Sequence, residues 1–375
     1  MDKIEDADFL QSIDTPCIVV DLQKVKNNIM TMQTQVSSYG CRLRPHIKTH
    51  KSVEIAKLQI AAGACGITCA KVSEAEIMAA GGIDDIFIAY PLIGTRKIER
   101  AIVLHQKIRR LILGVDSIEG AKAMDEQAQK WGVTLEVRME IDTGSKRTGA
   151  VGDEMTQLGQ YIKGLSHLKL TGIYSFKSLL YQGKTTFDVE QASQEEGELM
   201  ADAAKQLCDM GIPIEDVSAG STPTGLAVAK TGLVNEVRPG TYVYYDYMTM
   251  LEGACQQEDI ACYIYATVVS VPTPAYAIVD GGTKTFSADV TLQSDPFYFE
   301  SYAYPLGRED LVLSRLNEEH GILTSKKGNV DLKVGDILPF LPTHICTAVN
   351  QQNSVFMLED GRLRQTAVDA RGALT

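Results

Sequence analysis

The sequence has no run of 18 apolar residues, no block of lysine and arginine, and no cysteines paired at tight spacing. The first absence removes a membrane-spanning helix, which needs about 20 apolar residues to cross the hydrocarbon layer. The second, together with a net charge of -12, argues against nucleic acid or an anionic membrane surface as partner, since both reward clustered cations. The cysteines, at positions 17, 41, 65, 69, 208, 255, 262 and 346, are scattered through the chain. That spacing suits small core residues in a reducing compartment rather than a disulfide framework. The opening Met1-Asp2-Lys3-Ile4-Glu5-Asp6 is charged and lacks the apolar stretch of a signal peptide, so a cytoplasmic location is expected. No low-complexity linker interrupts the 375 residues, enough chain for one large or two moderate domains.

Between about residues 40 and 250 one theme repeats: a short β-branched or apolar run, a turn, then an amphipathic segment. Candidate strands are 42–46, 66–70, 86–89, 111–115, 135–141, 170–175, 216–219 and a run ending in 242–246. Candidate helices are 72–80, with Ser73 and Glu76 spaced as a capping box, and 95–106, 118–131, 190–210 and 223–230. Such alternation predicts a (β/α)8 barrel over residues 22–250, with chemistry at the C-terminal ends of its strands. Lys48, Asp142 through Arg147, Ser221, Thr222 and Arg238 all lie just past those ends. From about residue 255 the runs 261–271, 276–279, 330–333 and 354–359 are separated by Pro/Gly turns, which predicts a second, mostly antiparallel β domain over 251–375. About residues 1–21, with the strand-like Cys17–Asp21, are expected to join it.

The densest chemistry lies in Arg44-Pro45-His46-Ile47-Lys48-Thr49-His50-Lys51. Along a strand His46, Lys48 and His50 would share one face. Histidine neighbours and the mouth of a buried sheet favour the neutral lysine amine, which condenses with an aldehyde to a Schiff base. A solvated basic turn is the other reading. Gly220-Ser221-Thr222, after a strand and before a helix opening at Pro223, would turn backbone N–H groups and hydroxyls onto an anion, or serve as a plain helix cap. His344-x-Cys346 on a strand would point an imidazole and a thiolate the same way, a donor set that favours zinc and leaves room for water and substrate oxygens. The alternative is a core histidine beside a buried cysteine.

Arg44-Pro45-His46-x-Lys48-Thr49-His50-Lys51, Asp142-Thr143-Gly144 with Arg147 and Gly149, Gly220-Ser221-Thr222-Pro223, Arg238-Pro239-Gly240-x-Tyr242 and His344-x-Cys346 occur in that order. Over roughly residues 15–360 the chain resembles the D-serine dehydratase and D-threonine aldolase family, pyridoxal-phosphate enzymes with an alanine racemase type of barrel plus β domain. The resemblance implies that Lys48 carries the cofactor, with His46 beside it as a second catalytic candidate. It implies that Gly220, Ser221 and Thr222 hold the phosphate, that Arg147 faces the phenolic oxygen and Arg238 the pyridine nitrogen, and that Tyr242 belongs to the same pocket. Tyr174 would pack on the ring or donate to phosphate. Plainer readings remain for three of these: a polar loop for Arg147, a surface salt bridge to Glu236 for Arg238, a core tyrosine for Tyr174.

The resemblance further implies a homodimer, a D-amino acid substrate bearing a β-hydroxyl, and a divalent metal, zinc foremost, on His344 and Cys346. The expected activity is metal-assisted dehydration of D-serine or 3-hydroxy-D-aspartate to a keto acid and ammonia. Family members with aspartate in the second metal position lean toward aldolase, so Cys346 tilts the expectation to dehydration. D-threonine aldolase is the alternative, with a racemase or a non-catalytic pyridoxal-phosphate carrier beyond it. One departure stands out: relatives often carry Gly-x-x-x-[His/Tyr]-x-Gly where this chain has Gly172 through Ser178, placing Phe176 and Ser178 at the two variable positions. Lys177 there would either meet a second substrate carboxylate or stand in solvent.

Overall fold

The computed structural model describes residues 12–375, which divide into two units. One unit comprises Ile29–Lys48, Ser52–Gly240 and Ala373–Thr375. Its sheet has eight parallel strands: Arg42–Leu43, Ile67–Cys69, Asp85–Pro91, Arg110–Val115, Leu135–Glu140, Leu168–Tyr174, Asp216–Ala219 and Glu236–Val237. The eighth pairs with the first through Glu236 and Arg42. The first and second are joined by the bridge between His46 and Thr68, where Ile47 N donates to Thr68 O at 2.9 Å and Thr68 N to Pro45 O at 2.8 Å. The sheet therefore closes on itself, which removes its edges. Helices Val53–Ala61, Val72–Ala80, Thr95–His105, Ile118–Trp131, Gly152–Lys163, Val189–Asp209 and Gly225–Lys230 supply the crossovers that parallel strands require. The result is a (β/α)8 barrel.

Strands covered on both faces read as continuous apolar runs, and Ile86, Phe87 and Ile88 are all fully buried. The helix Thr95–His105 buries Ile98, Ala101 and Ile102, the i, i+3, i+4 stripe of a helix facing a sheet. Inside the barrel an ionic network closes one layer. Arg44 donates to Asp85 at 2.5 Å and to Glu236 at 2.9 Å, and Arg138 donates to Glu236 and Asp216 at 2.5 Å each. Burial alone would raise the Glu236 pKa, but Arg138 and Arg44 overcome it and hold the carboxyl well below the usual range.

The other unit comprises the described residues through Asn28, with Thr49–Lys51 and Thr241–Gly372. Its nine-stranded sheet is built from Cys17–Asp21, Cys262–Thr273, Tyr276–Val279, Ala303–Pro305, Leu311–Leu316, Gly321–Ser325, Ile337–Pro342, Ser354–Glu359 and Arg362–Ala367. All of its pairings are antiparallel except that of Cys17–Asp21 with Ser354–Glu359. Of the N-terminal segment expected here, residues 1–11 lie outside the described residues. Among the described residues no helix is long and apolar enough to cross a membrane.

Several local expectations are corrected. The first strand ends at Leu43 rather than His46, because Pro45 cannot donate to a ladder and the chain turns from Ile47 to His50. His46, Lys48 and His50 therefore share no strand face. The eighth strand is Glu236–Val237, and Tyr242 lies in the 3-10 turn Thr241–Val243. Ser73 is inside its helix, whose N-cap is Lys71, and Glu76 pairs with Arg100 at 2.6 Å instead of closing a capping box. The segment 330–333 carries no strand. The helix after the Gly220 turn starts at Gly225 with Thr224 as cap, not at Pro223.

Candidate active site

Lys48 follows the first barrel strand in a turn whose backbone is held by a side chain, with Lys48 N donating to His46 Nδ1 at 3.2 Å. The lysine is exposed and His46 half-buried. Its ammonium lies 5.6 Å from the centroid of the Phe176 ring, and the Arg147 guanidinium lies 4.4 Å from the same ring. Both are within cation–π range. Arg147 is placed by its loop: Asp142 Oδ1 accepts from Gly144 N at 2.9 Å, Lys146 N at 3.1 Å and Ser145 Oγ at 3.3 Å. Gly149, at φ 113°, has no room for a Cβ, which would sit 2.5 Å from Asp142 N. Phe176, which the sequence marks only as a departure, is thus the side chain that gathers the two basic groups.

Past the seventh strand, Gly220 takes φ 81°, and a Cβ there would lie 2.9 Å from Gly225 Cα. Ser221 N donates to Thr224 Oγ1 at 3.0 Å, Ser221 Oγ reaches Ser178 Oγ at 3.4 Å, and Gly240 N donates to Thr222 Oγ1 at 3.3 Å. The result is a tight turn with no side chain at Gly220 and hydroxyls at three neighbouring positions, which fits a phosphate monoester. Pyridoxal phosphate, a phosphate monoester whose aldehyde condenses with a lysine amine, fits the groups present.

Arg238 and Tyr174 sit deeper. Arg238 is buried and donates to Ser218 Oγ at 2.6 Å and to Ser175 O. Its guanidinium is 5.3 Å from the Tyr174 ring, and burial pulls its pKa below the ordinary value despite Glu236 and Tyr174. The surface salt bridge between Arg238 and Glu236 is corrected: Glu236 is fully buried and spent on Arg44 and Arg138. Tyr174 packs edge-on to Phe87 at 4.9 Å and donates its hydroxyl to Glu140 at 3.0 Å, a core placement. Burial and Glu140 raise its pKa, so the phenol keeps the proton it donates. Lys177 is neither at a mouth nor in solvent; it is buried and paired with Glu195.

The remaining predicted residues belong to the β unit. Tyr242 is fully buried there. His344 and Cys346 are not on a strand: His344 is the N-cap of the helix Ile345–Gln351, and Cys346 is in its first turn. The strand Ile337–Pro342 stops before them, and Asp246 anchors the helix start by accepting from Ile345 N at 3.2 Å. The two residues nonetheless stand two positions apart at the start of one helix. His344 Nδ1 lies 2.8 Å from Asp289 Oδ2, and Cys346 Sγ lies 3.2 Å from Thr49 Oγ1 and 3.7 Å from Thr241 Oγ1. Burial disfavours charge on the imidazole, yet Cys346 and Asp289 raise its pKa well above the ordinary value. Among the described residues no group of three or more His, Cys, Asp or Glu side chains is placed to hold a metal. The pair fits a divalent ion as a nitrogen–sulfur set completed by other ligands. Asp289 and Thr241 carry no motif, and Thr49, although it stands in the Lys48 motif, was given no role from sequence.

A closed α/β barrel with a lysine past its first strand and a hydroxyl-lined turn past its seventh is the arrangement of the fold type III pyridoxal-phosphate enzymes. Residues 20–248 match the family model "Alanine racemase, N-terminal domain", and residues 261–358 match "Putative serine dehydratase domain". The chain is 35% identical to the D-threo-3-hydroxyaspartate dehydratase of Delftia sp. (strain HT23), over 90% of this chain and 92% of the relative. It is 28% identical to the D-threonine aldolase of Arthrobacter sp, over 97% and 94% respectively. A solved D-threo-3-hydroxyaspartate dehydratase structure, a cysteine-to-alanine mutant in the metal-free form, superposes with a TM-score of 0.86 at 33% identity, covering 96% of this chain and 98% of that one. The chain belongs to the D-serine dehydratase and D-threonine aldolase family and is a pyridoxal-phosphate-dependent lyase.

Proposed function

We propose that the chain dehydrates a D-β-hydroxy amino acid, 3-hydroxy-D-aspartate or D-serine, to a keto acid and ammonia. The observation that carries this reading is the placement of a His344 imidazole and a Cys346 thiol two residues apart at the start of one helix, a soft donor pair on a chain whose 35% identical relative is named a dehydratase. Pyridoxal phosphate supplies an electron sink for negative charge at the substrate's Cα. A zinc ion on His344 and Cys346 would supply a Lewis acid toward the β-hydroxyl.

The chain's own residues do the rest. Lys48 would hold the cofactor and, once displaced by the substrate amine, take the α-proton as general base, while the backbone turn on His46 keeps its stem at the strand end. Gly220, Ser221 and Thr222 would bind the phosphate. Arg147, ordered by Asp142 and lying against Phe176, would present its guanidinium to a phenolate. Arg238 would face the ring nitrogen. A cytoplasmic homodimer is the setting we propose.

Retro-aldol cleavage is the second reading, favoured by the likeness to the Arthrobacter sp aldolase. Incubation with D-serine, D-threonine and 3-hydroxy-D-aspartate, with and without zinc, separates the two. Keto acid and ammonia support dehydration, and glycine with an aldehyde overturns it. Lys48→Ala should abolish both turnover and the visible absorbance of bound cofactor. A borohydride-reducible adduct that survives in this variant would move the cofactor to another lysine, such as Lys51 or Lys71.

A further inference from the structure

We propose that Asp289 is a positioning residue for the metal centre, setting the tautomer and orientation of the His344 ring so that Nε2 is the coordinating nitrogen. The inference rests on the reading of His344 and Cys346 as the metal pair. Its observation is separate: Asp289 Oδ2 lies 2.8 Å from His344 Nδ1, on a segment 55 residues away in sequence. A neutral imidazole has one N–H donor and one nitrogen lone pair, and a carboxylate can only accept. In the neutral ring that a metal would bind, hydrogen bonding to Asp289 therefore keeps the proton on Nδ1 and leaves the lone pair on Nε2. Carboxylate partners of this kind raise the basicity of a metal-bound histidine and fix its ring plane.

The carboxylate is itself held on its other side. Ser287 Oγ donates to Asp289 Oδ1 at 3.0 Å, and Thr347 Oγ1, from the helix that carries Cys346, donates to Ser287 Oγ at 2.7 Å. Ser287 is buried and takes φ 67°, a conformation that a non-glycine residue adopts only when its surroundings compel it. Thr347, Ser287, Asp289 and His344 form one chain of contacts that begins and ends beside the same short helix.

The test measures zinc affinity by competition with a chromophoric chelator in the full-length holoenzyme. Asp289→Ala should raise the zinc dissociation constant by about 10–100-fold. Asp289→Asn keeps an acceptor without the charge and should recover part of the loss. Cofactor absorbance and the thermal unfolding midpoint of the zinc-free protein should stay as in the wild type. Zinc binding by Asp289→Ala as tight as wild type overturns the proposal. So does an Asn variant as impaired as Ala together with a matching drop in zinc-free stability, which would make Asp289 structural. A wild-type chain that binds no zinc, or a His344→Ala variant that binds it unchanged, fails the metal reading itself and the proposal with it.

Discussion

Lys177 pairs with Glu195 from a side chain closed to solvent, and both oxygens of Glu195 also accept from Gln182 N at 3.1 Å. The same ammonium donates to Ala192 O at 3.3 Å. The turn after the sixth barrel strand is thereby tied to the helix Val189–Asp209, and between the ties lie Ser178 at φ 58° and Gln182 at φ 49°. Phe176 and Ser178, which meet Lys48, Arg147 and Ser221, stand on this clamped turn.

The two halves of the pair should differ in what their loss costs. Glu195→Ala strands a fully buried ammonium, and breaking a buried pair that way costs roughly 3–5 kcal/mol. Lys177→Met leaves a carboxylate that is partly open to water and still accepts from Gln182 N, so its cost should be smaller. Chemical denaturation of the two variants measures the order. Equal stabilities, or a costlier Lys177→Met, would mean that the clamp does not hold the turn as described.

Thr222→Val should weaken cofactor retention while the barrel stays folded. A hydrogen bond to a charged group contributes roughly 1.5–3 kcal/mol, which corresponds to about a tenfold or greater rise in the cofactor dissociation constant. The valine also removes the acceptor for Gly240 N, at 3.3 Å, so circular dichroism must accompany the measurement. Unchanged affinity in a folded variant would leave the Gly220 turn as a plain cap and move the phosphate elsewhere.

The barrel was legible where strands are covered on both faces, as at Ile86–Ile88, because burial there leaves a local apolar run. It blurred at the first and eighth strands, each only two residues long and followed by Pro45 or Pro239, too short to carry a period. The network of Arg44, Arg138, Asp216 and Glu236 was invisible because its partners lie up to 192 residues apart and no local pattern marks a buried pair. The motif residues were found in order, but not their backbone. His344-x-Cys346 read as strand because an i, i+2 spacing fits one strand face, whereas a contact from Asp246, 99 residues away, starts a helix at Ile345. Asp289 has no sequence signal of its own; only the fold brings it to His344.

The metal reading makes the sharpest demand on this chain. Cofactor and metal would be held by different units, Lys48 and the Gly220 turn in one, His344 and Cys346 in the other. Exhaustive chelation should therefore remove lyase activity without bleaching the cofactor band. Zinc should restore activity better than magnesium, since a thiolate discriminates by softness. Cys346→Asp exchanges sulfur for a hard oxygen donor, so the variant should prefer manganese or magnesium, and its products should shift from keto acid toward aldehyde. The shift is read by assaying ammonia and aldehyde from one D-threonine reaction across the metal series. Full lyase activity after chelation, or in His344→Ala, would exclude the metal-assisted course.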